Sequence, residues 1–300
     1  MRFEEYYQKV KPEIEEKIRE IFLEEDQSLK NVFDFALKGG KRFRPVLCML
    51  CCDVLDGDRE KAKRYAAVIE FIHAASLLHD DLVDNDQFRR NLPTLWRVAS
   101  KIVCGINKVS LFFRGRPVTT KDLSIAILTG DGLLAKALKL VESPEAISVI
   151  SDGVYSLLLG AVREIKNAKE YTESAYLDVI ALKTAALFAT ACHLGAMTSD
   201  VEDKYKEYCR EYGKNLGMLY QLLDDWIDED CPEFVTKDPL RYFRRYVENC
   251  RFYVSLLPSN EYREAMEDAI VKILEKFSKE ADKNKRRQIK SLLDSIKTSS

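Results

Sequence analysis

The chain has 300 residues and a mass of 34.5 kDa, enough for one large domain or two ordinary ones with a substantial buried core. Hydrophobic residues make up 46% of it and charged residues 32%, with only 12 Gly and 8 Pro, which excludes disordered and low-complexity architectures and favours a mainly helical protein. The formal net charge of −2 excludes the overall basic field of a nucleic-acid-binding protein.

The sequence predicts neither a signal peptide nor a transmembrane span. Its N-terminal segment is charged and amphipathic, and its longest apolar run, residues 185–197, is too short to cross a bilayer. The eight cysteines lack a paired zinc-binding pattern, and Cys48, Cys51 and Cys52 lie in an apolar helical stretch where thiols behave as small buried hydrophobes. We therefore expect a cytoplasmic protein in a reducing compartment, without stable membrane insertion.

Helical periodicity dominates the chain from its start. Apolar residues at three- and four-residue steps from Phe3 to Phe22 predict a first amphipathic helix, and residues 29–37 a second that ends at Gly39-Gly40. Pro45 fits the first turn of a third helix, and residues 59–86 form a long, increasingly apolar fourth. Further helices are predicted over residues 122–141 and from starts near Pro144, Glu173, Asp200, Pro239, Ser259 and Ala281.

One segment, residues 104–120, does not follow the helical pattern. Apolar and polar residues alternate there before Arg114-Gly115, which indicates a short hairpin or irregular lobe. The predicted architecture is all-α: one domain over residues 1–300 with a short non-helical insertion at about residues 100–121. The insertion is either a tolerated surface loop or a flap or dimer contact made by Leu111, Phe112 and Phe113.

Two aspartate clusters share one spacing. In each, the first and last Asp are four residues apart, so on a helix they share a face, and an apolar helical stretch precedes them. Repulsion between like charges does not stabilise a helix, whereas carboxylate oxygens suit a hard divalent cation, above all Mg²⁺. The alternative is a solvated acidic face, which the repeated spacing disfavours. The clusters are Asp80-Asp81-Leu82-Val83-Asp84 and Asp224-Asp225-Trp226-Ile227-Asp228.

Basic groups accompany the carboxylates. The segment GGKRFRP at residues 39–45 carries Lys41, Arg42 and Arg44 on a turn that enters a helix, where backbone N–H groups are unpaired. Arg89-Arg90 follow the first aspartate cluster, and Lys183-Thr184 lies in an otherwise apolar helix. Each cation alone is typical of a surface, but together they predict a site for two diphosphates, one bridged by Mg²⁺ and one held by Lys and Arg.

These motifs resemble those of the trans-isoprenyl diphosphate synthase family, which includes farnesyl and geranylgeranyl diphosphate synthases. The resemblance covers roughly residues 30–230, in the family's order. It rests on GGKRFRP, HDDLVDNDQFRRNLPT, TGDGLLAKAL, LKTAALF and YQLLDDWID. It implies an isoprenoid-synthase-type helical bundle around a deep apolar cavity, a homodimer, and Mg²⁺-dependent, head-to-tail trans condensation of isopentenyl diphosphate with an allylic diphosphate.

The resemblance also implies roles for individual residues. About three Mg²⁺ would bind through carboxylates on the allylic side. The implied metal ligands are Asp80, Asp84, Asp224 and Asp228, with Asp81 and Asp225 in or near that shell. The implied catalytic residues are Asp80, Asp81, Asp84, Arg89, Lys183, Thr184, Gln221 and Asp224. The implied substrate-binding residues are Lys41, Arg44, His73, Arg89, Arg90, Lys183, Thr184, Gln221 and Lys237.

Product length depends in this family on residues that precede the first aspartate cluster. Ser76 and Ala75, four and five residues before Asp80, are small, and Phe71 or Ile72 would form a floor about one turn deeper. The resemblance therefore implies a product of C20 or longer, similar to geranylgeranyl diphosphate.

The segment after the second cluster departs from the family pattern. Lys237 lacks the preceding Gly of the family, and Arg244-Arg245 are the candidates to replace its second Lys. Two other functions stay open: a class I terpene cyclase, which would not need GGKRFRP or a second aspartate cluster, and a weakly active or regulatory subunit of a heteromeric synthase.

Overall fold

Helices joined by short turns make up most of the structure, which confirms the predicted all-α fold class. The computed structural model describes residues 1–89, 92–106, 118–167 and 172–298. The first helices are α1 (Phe3–Ile21), α2 (Gln27–Leu37), α3 (Phe43–Val54), α4 (Arg59–Val83), α5 (Leu95–Val103), α6 (Thr120–Lys139) and α7 (Pro144–Asn167). They are followed by α8 (Glu173–Ile180), α9 (Ala186–Ala196), α10 (Asp203–Asp228), α11 (Glu233–Lys237), α12 (Pro239–Ser255), α13 (Glu261–Glu280) and α14 (Lys283–Thr298).

Local chemistry sets the ends of the N-terminal helices. The Asp26 and Asp58 carboxylates accept backbone N–H bonds at the starts of α2 and α4, and Pro45 lies in the first turn of α3 as predicted. Helix α4 ends at Val83, three residues before the predicted end at 86. The following Asn85 has φ 55°, a left-handed conformation that cannot continue the helix.

The region after α4 differs from the prediction. A short antiparallel ladder, β1 (Phe88–Arg89) with β2 (Leu92–Pro93), and helix α5 precede α6. Both ends of the predicted insertion, residues 100–103 and 120–121, are therefore helical. Helix α5 is short and follows Pro93-Thr94, a pair that indicates a loop, which explains why periodicity missed it. Residues 107–117, with the flap candidates Leu111, Phe112 and Phe113, lie outside the described residues.

Helix α4 runs through the centre of the bundle. It packs against α3, α6 and α9, while α10 packs against α9 and α12. Most of the buried residues of α4 are apolar, and Glu70 is a charged residue buried in its middle. Burial of Cys48, Cys51 and Cys52 in this core confirms their interpretation as small buried hydrophobes. Three further thiols are buried in the same core: Cys192, Cys209 and Cys250.

Helices α8 and α9 are one continuous helix interrupted by a π turn at Ala181–Ala185. Such turns add a residue to the helix and occur frequently at functional sites. A Cβ atom on Gly160 of α7 would lie 2.6 Å from the backbone nitrogen of Lys183, so only glycine allows α7 to approach the turn this closely. This contact places Lys183 and Thr184, both in the π turn, against α7.

Two helical stretches are long and apolar enough to span a bilayer by length and composition alone, residues 144–166 and 173–196. The second is longer than the run counted in the sequence because the π turn joins α8 to α9. In the second stretch, 72% of the most apolar window is buried, as in the core helix of a soluble protein. In the first stretch, the buried share of that window is 22%. The first exposes Tyr155, Leu158, Val162 and Ile165 to the surroundings of this single chain.

Candidate active site

A cavity of about 590 Å³ lies between α4, α7, α8, the π turn and α10. Its lining is mixed, with apolar side chains that include Leu77, Leu157 and Leu187 and a larger set of charged and polar ones. The polar set comprises Arg44, His73, Ser76, Asp80, Asp84, Arg89, Glu164, Lys183, Thr184, Gln221, Asp224, Asp225 and Asp230. Residues separated by almost 200 positions in the sequence therefore meet at one site.

Both aspartate clusters reach this cavity. Asp80 and Asp84 line it from the C-terminal end of α4, where the Asp84 N–H donates to the Asp80 carbonyl at 2.8 Å. Asp224 and Asp225 line it from the last turns of α10. The expectation that the two clusters serve one site requires both to lie at the same cavity, and residues of both clusters line it.

Protein partners separate the six carboxylates into two groups. Asp81 accepts a hydrogen bond from Arg89 Nε, and Asp225 accepts one from Tyr176 Oη and one from Gln221 Nε2, both at 2.6 Å. The other four have no hydrogen bond or ion pair within the described part of the chain: Asp80, Asp84, Asp224 and Asp228. These four are the carboxylates that the sequence resemblance implies as metal ligands.

The donor chemistry fits Mg²⁺ held jointly with a diphosphate. Across residues 1–89, 92–106, 118–167 and 172–298, no three His, Cys, Asp or Glu side chains are arranged to hold a metal ion on their own. Mg²⁺ does not require such a cage, because it usually takes one or two carboxylates and completes its octahedron with water and phosphate oxygens. The unpaired carboxylates supply only oxygen ligands, the type that Mg²⁺ prefers.

Burial makes two of these carboxylates, Asp80 and Asp224, costly to ionise. It raises the pKa of Asp80, an effect that the Asp84 charge increases and the Lys183 ammonium opposes. Burial also raises the pKa of Asp224, with Lys276 as the leading opposing cation and Asp228 as an added repulsive charge. Each cluster thus holds negative charge that the protein neutralises only in part, and a divalent cation would offset the remainder.

Lys183 is the cation that most opposes the raised pKa of Asp80. Burial acts to lower its pKa, but the hydrogen bond to Glu164 and the charge of Asp80 raise it overall. Its ammonium forms an ion pair with Glu164 of α7, which also lines the cavity. Sequence analysis missed Glu164; the available signal was an acidic residue seven positions after Leu157, on the same face of an apolar helix.

Thr184 and Gln221 belong to one hydrogen-bonded chain. Thr184 Oγ1 donates to Gln221 Oε1 at 2.9 Å, and Gln221 Nε2 in turn donates to Asp225. Tyr176 closes the chain from the other side of Asp225. These bonds link the π turn to α10 and fix the orientation of the second aspartate cluster; Tyr176 gave no signal in the sequence.

Arg44 from the GGKRFRP segment faces the cavity. Its guanidinium lies 4.4 Å from the centre of the Phe188 ring, and its Nη1 is 3.2 Å from His73 Nε2. Burial lowers the pKa of Arg44 to about 10, and its Nε has no hydrogen-bond partner in the part of the chain that the structure describes. No carboxylate pairs with it among the described residues. Arg44 and His73 are therefore candidates for binding an anion.

The neighbouring basic residues have other positions. Arg42 is buried and forms an ion pair with Glu70, so it contributes to the core instead of the cavity. Lys41 is exposed and does not line the cavity. Arg90 lies outside the described residues. Lys237 is also away from the cavity: its side chain is 70% exposed and pairs with Glu233 at 3.0 Å.

Four residues are predicted to limit product length, and we call them the chain-length wall. Only one of them lies at the cavity. Ser76 lines it, whereas Phe71, Ile72 and Ala75 are buried and do not. Helix geometry explains the difference, because the position four residues before Asp80 shares its face and the position five before is rotated by a further 100°. Phe71 points to the opposite side, where its ring lies 5.1 Å from that of Phe22.

Comparisons with known proteins agree with this geometry. The polyprenyl synthetase family model matches residues 26–238. A geranylfarnesyl diphosphate synthase of Methanosarcina mazei is 32% identical over 235 residues, which cover 76% of this chain and 71% of that protein. A solved structure described as a geranyltranstransferase from the same organism is 26% identical, with a TM-score of 0.68, and the alignment covers 90% of this chain and 96% of that one.

Other relatives are matched over a smaller share of their length. The heptaprenyl diphosphate synthase component 2 of Bacillus subtilis is 33% identical over 198 residues, which cover 63% of this chain and 50% of that protein. The chain thus spans about half the length of the first curated relatives it matches.

Proposed function

The chain belongs to the polyprenyl synthetase family, and on this premise we propose that it is a trans-prenyltransferase. It would join isopentenyl diphosphate head-to-tail to an allylic diphosphate and release diphosphate. The observation that carries the proposal is one cavity lined by carboxylates from both aspartate clusters and by the Arg44 guanidinium. Among the described residues, Asp80, Asp84 and Asp224 have no side-chain partner and Arg44 pairs with no carboxylate. The names of the relatives support the same chemistry, since they describe synthases of prenyl diphosphates.

The residues of the site form two groups, one for the leaving diphosphate with Mg²⁺ and one for the diphosphate of the second substrate. Asp80, Asp84, Asp224 and Asp228 would hold Mg²⁺, which when bound supplies Lewis-acid stabilisation of the negative charge on the leaving diphosphate. Lys183 and Arg89 line the cavity and add fixed positive charge at the same place. Arg44 and His73 would bind the diphosphate of the second substrate, with Lys41 and Arg90 as further predicted contacts.

The apolar part of the cavity would protect the reactive intermediate. An allylic carbocation must be kept from water, and Leu77, Leu157 and Leu187 cover the wall beyond the charged residues. The new C–C bond forms as the double bond of isopentenyl diphosphate attacks that cation. The proton then lost passes to the departed diphosphate, so the chain needs no dedicated general base.

We infer a product of C20 or longer. Ser76, the member of the predicted wall that reaches the cavity, is small and leaves room for chain growth. Relatives named for geranylgeranyl, geranylfarnesyl and heptaprenyl products support the same range. We also infer a cytoplasmic enzyme.

A product assay tests the proposal. Purified protein is incubated with labelled isopentenyl diphosphate and each allylic primer, with Mg²⁺ or with chelator, and the products are sized. We expect incorporation only with both primer and Mg²⁺, and products of C20 or more. Activity that appears only after a partner protein is added would support the heteromeric subunit. Consumption of the allylic substrate alone would support a terpene cyclase.

We further propose that the active form is a homodimer built on α6 and α7. Large exposed apolar side chains concentrate on these helices, and Leu158, Val162 and Ile165 share one face of α7. The others are Leu123, Ile127, Leu128, Leu138, Ile147 and Tyr155. Sedimentation should show a dimer that Leu158→Asp/Val162→Asp converts to a monomer. Leu23→Asp, at a residue 69% exposed elsewhere, should stay dimeric; a monomeric wild type contradicts the proposal.

A further inference from the structure

Tyr220 carries a hydroxyl with one unused proton at the cavity. The residue lines the cavity from α10, four positions before Asp224 and on the same helical face. Within the described residues, its hydroxyl has a single hydrogen bond, from Lys276 Nζ of α13 at 3.1 Å. An ammonium group can only donate, so the hydroxyl accepts this bond and keeps its own proton for another acceptor.

Aromatic packing fixes the position of this phenol. The Tyr220 ring lies 5.2 Å from the Phe277 ring and 5.8 Å from the Phe188 ring, measured between centroids. Phe188 is the ring under the Arg44 guanidinium. Tyr220 and Arg44, the residue that we assign to diphosphate binding, therefore pack against the same Phe188 ring. A movement of the Tyr220 ring would disturb this packing.

Lys276 is held close to the same ring. Its Nζ lies 4.7 Å from the Tyr220 centroid and 3.8 Å from the Phe277 centroid, and its side chain is 28% exposed. Its carboxylate neighbour, Glu280, is 3.7 Å away, beyond hydrogen-bond distance. The ammonium charge is thus only partly neutralised, and its strongest directional contact is the Tyr220 hydroxyl.

We propose that Tyr220 donates a hydrogen bond to a diphosphate in the cavity and that Lys276 is the positioning residue that orients and polarises its hydroxyl. The inference rests on the proposed function. In this proposal the cation that acts next to the second aspartate cluster is Lys276 of α13. Lys237 does not have this role, because its side chain is exposed and pairs with Glu233. A donor polarised by an adjacent ammonium forms a stronger bond to an anionic oxygen.

Binding of inorganic pyrophosphate in the presence of Mg²⁺, measured by calorimetry on the full chain, tests the proposal without turnover. Tyr220→Phe keeps the ring and removes the donor, so we expect about tenfold weaker binding. Lys276→Gln should weaken binding by a smaller factor, and Lys276→Arg should restore it. Because Lys276 acts through Tyr220, the double variant should bind no more weakly than Tyr220→Phe alone.

One lysine provides a matched control. Lys279→Gln, at an exposed position of the same helix, should bind pyrophosphate as the wild type does. In steady-state assays, Tyr220→Phe should raise KM and leave kcat nearly unchanged. Wild-type pyrophosphate binding by Tyr220→Phe, or additive effects in the double variant, would overturn the proposal. If no primer yields product but these binding differences appear, the proposed reaction fails and the diphosphate site stands.

Discussion

Asp80→Asn is expected to lower kcat/KM for prenyl transfer by about 10³-fold and to raise the melting temperature of the metal-free protein. The loss follows because Asp80 is an unpaired carboxylate at the cavity and the amide cannot replace a charged metal ligand. The gain follows because burial raises the pKa of Asp80, so the ionised form is less stable in the folded chain than in the unfolded one. Turnover assays and calorimetry measure the two effects.

The sign of the pH dependence follows from the same shift. Because the folded pKa is above the unfolded one, the folded chain binds more protons between these two values, and its stability falls as pH rises through the folded pKa. Asp224 has a shift of the same direction and adds to this slope. Asp80→Asn should flatten the decline in melting temperature between acidic and neutral pH, and Mg²⁺ with pyrophosphate should flatten it in the wild type.

Asp152→Asn is the matched control for this pair of effects. Asp152 is exposed on α7, and its side chain has no ion pair within the described residues. Its replacement should change neither turnover nor melting temperature. Wild-type turnover by Asp80→Asn would remove Asp80 from the metal site, and a lower melting temperature would show that its carboxylate stabilises the fold.

The aspartate clusters could be predicted from the sequence because they depend only on the spacing of residues within one helix. A spacing of four residues places Asp80 and Asp84 on one side of a helix whatever surrounds it. The apolar stretches that precede both clusters likewise indicated that these helix ends lie against the core. The spacing did not predict which carboxylates have protein partners. Asp81 and Asp225 accept hydrogen bonds from Arg89 and Tyr176, whereas the other four have no partner among the described residues.

The features that sequence analysis missed depend on contacts between distant segments. The π turn that carries Lys183 lies against Gly160, and no local pattern indicates that approach. Tyr176 and Lys276 reach the site from helices outside the recognised motifs. Counting positions before Asp80 likewise does not show which way each side chain points: helix rotation directs Phe71 towards Phe22, whereas Ser76 lines the cavity.

The GGKRFRP segment combines a structural arginine with a binding one, and stability measurements should separate them. Arg42→Met is expected to lower the free energy of unfolding by about 3–5 kcal/mol, because it removes the buried Arg42 partner of the Glu70 charge in the core. Arg42 and Glu70 are 8% and 4% exposed, and Arg42 Nη2 also donates to the Leu37 carbonyl at 2.7 Å. Urea denaturation gives the free energy directly.

The double variant Arg42→Met/Glu70→Met tests whether the lost pair is the cause. Removing both charges should recover most of the stability, since a well-packed apolar pair often equals a buried ion pair. Lys41→Met, at the exposed neighbour, should change stability little. Arg44→Met should instead raise KM with a smaller loss of stability, because Arg44 faces the cavity without a carboxylate partner among the described residues. If Arg42→Met is as stable as the wild type, Arg42 has no structural role and the division of this segment into two functions is wrong.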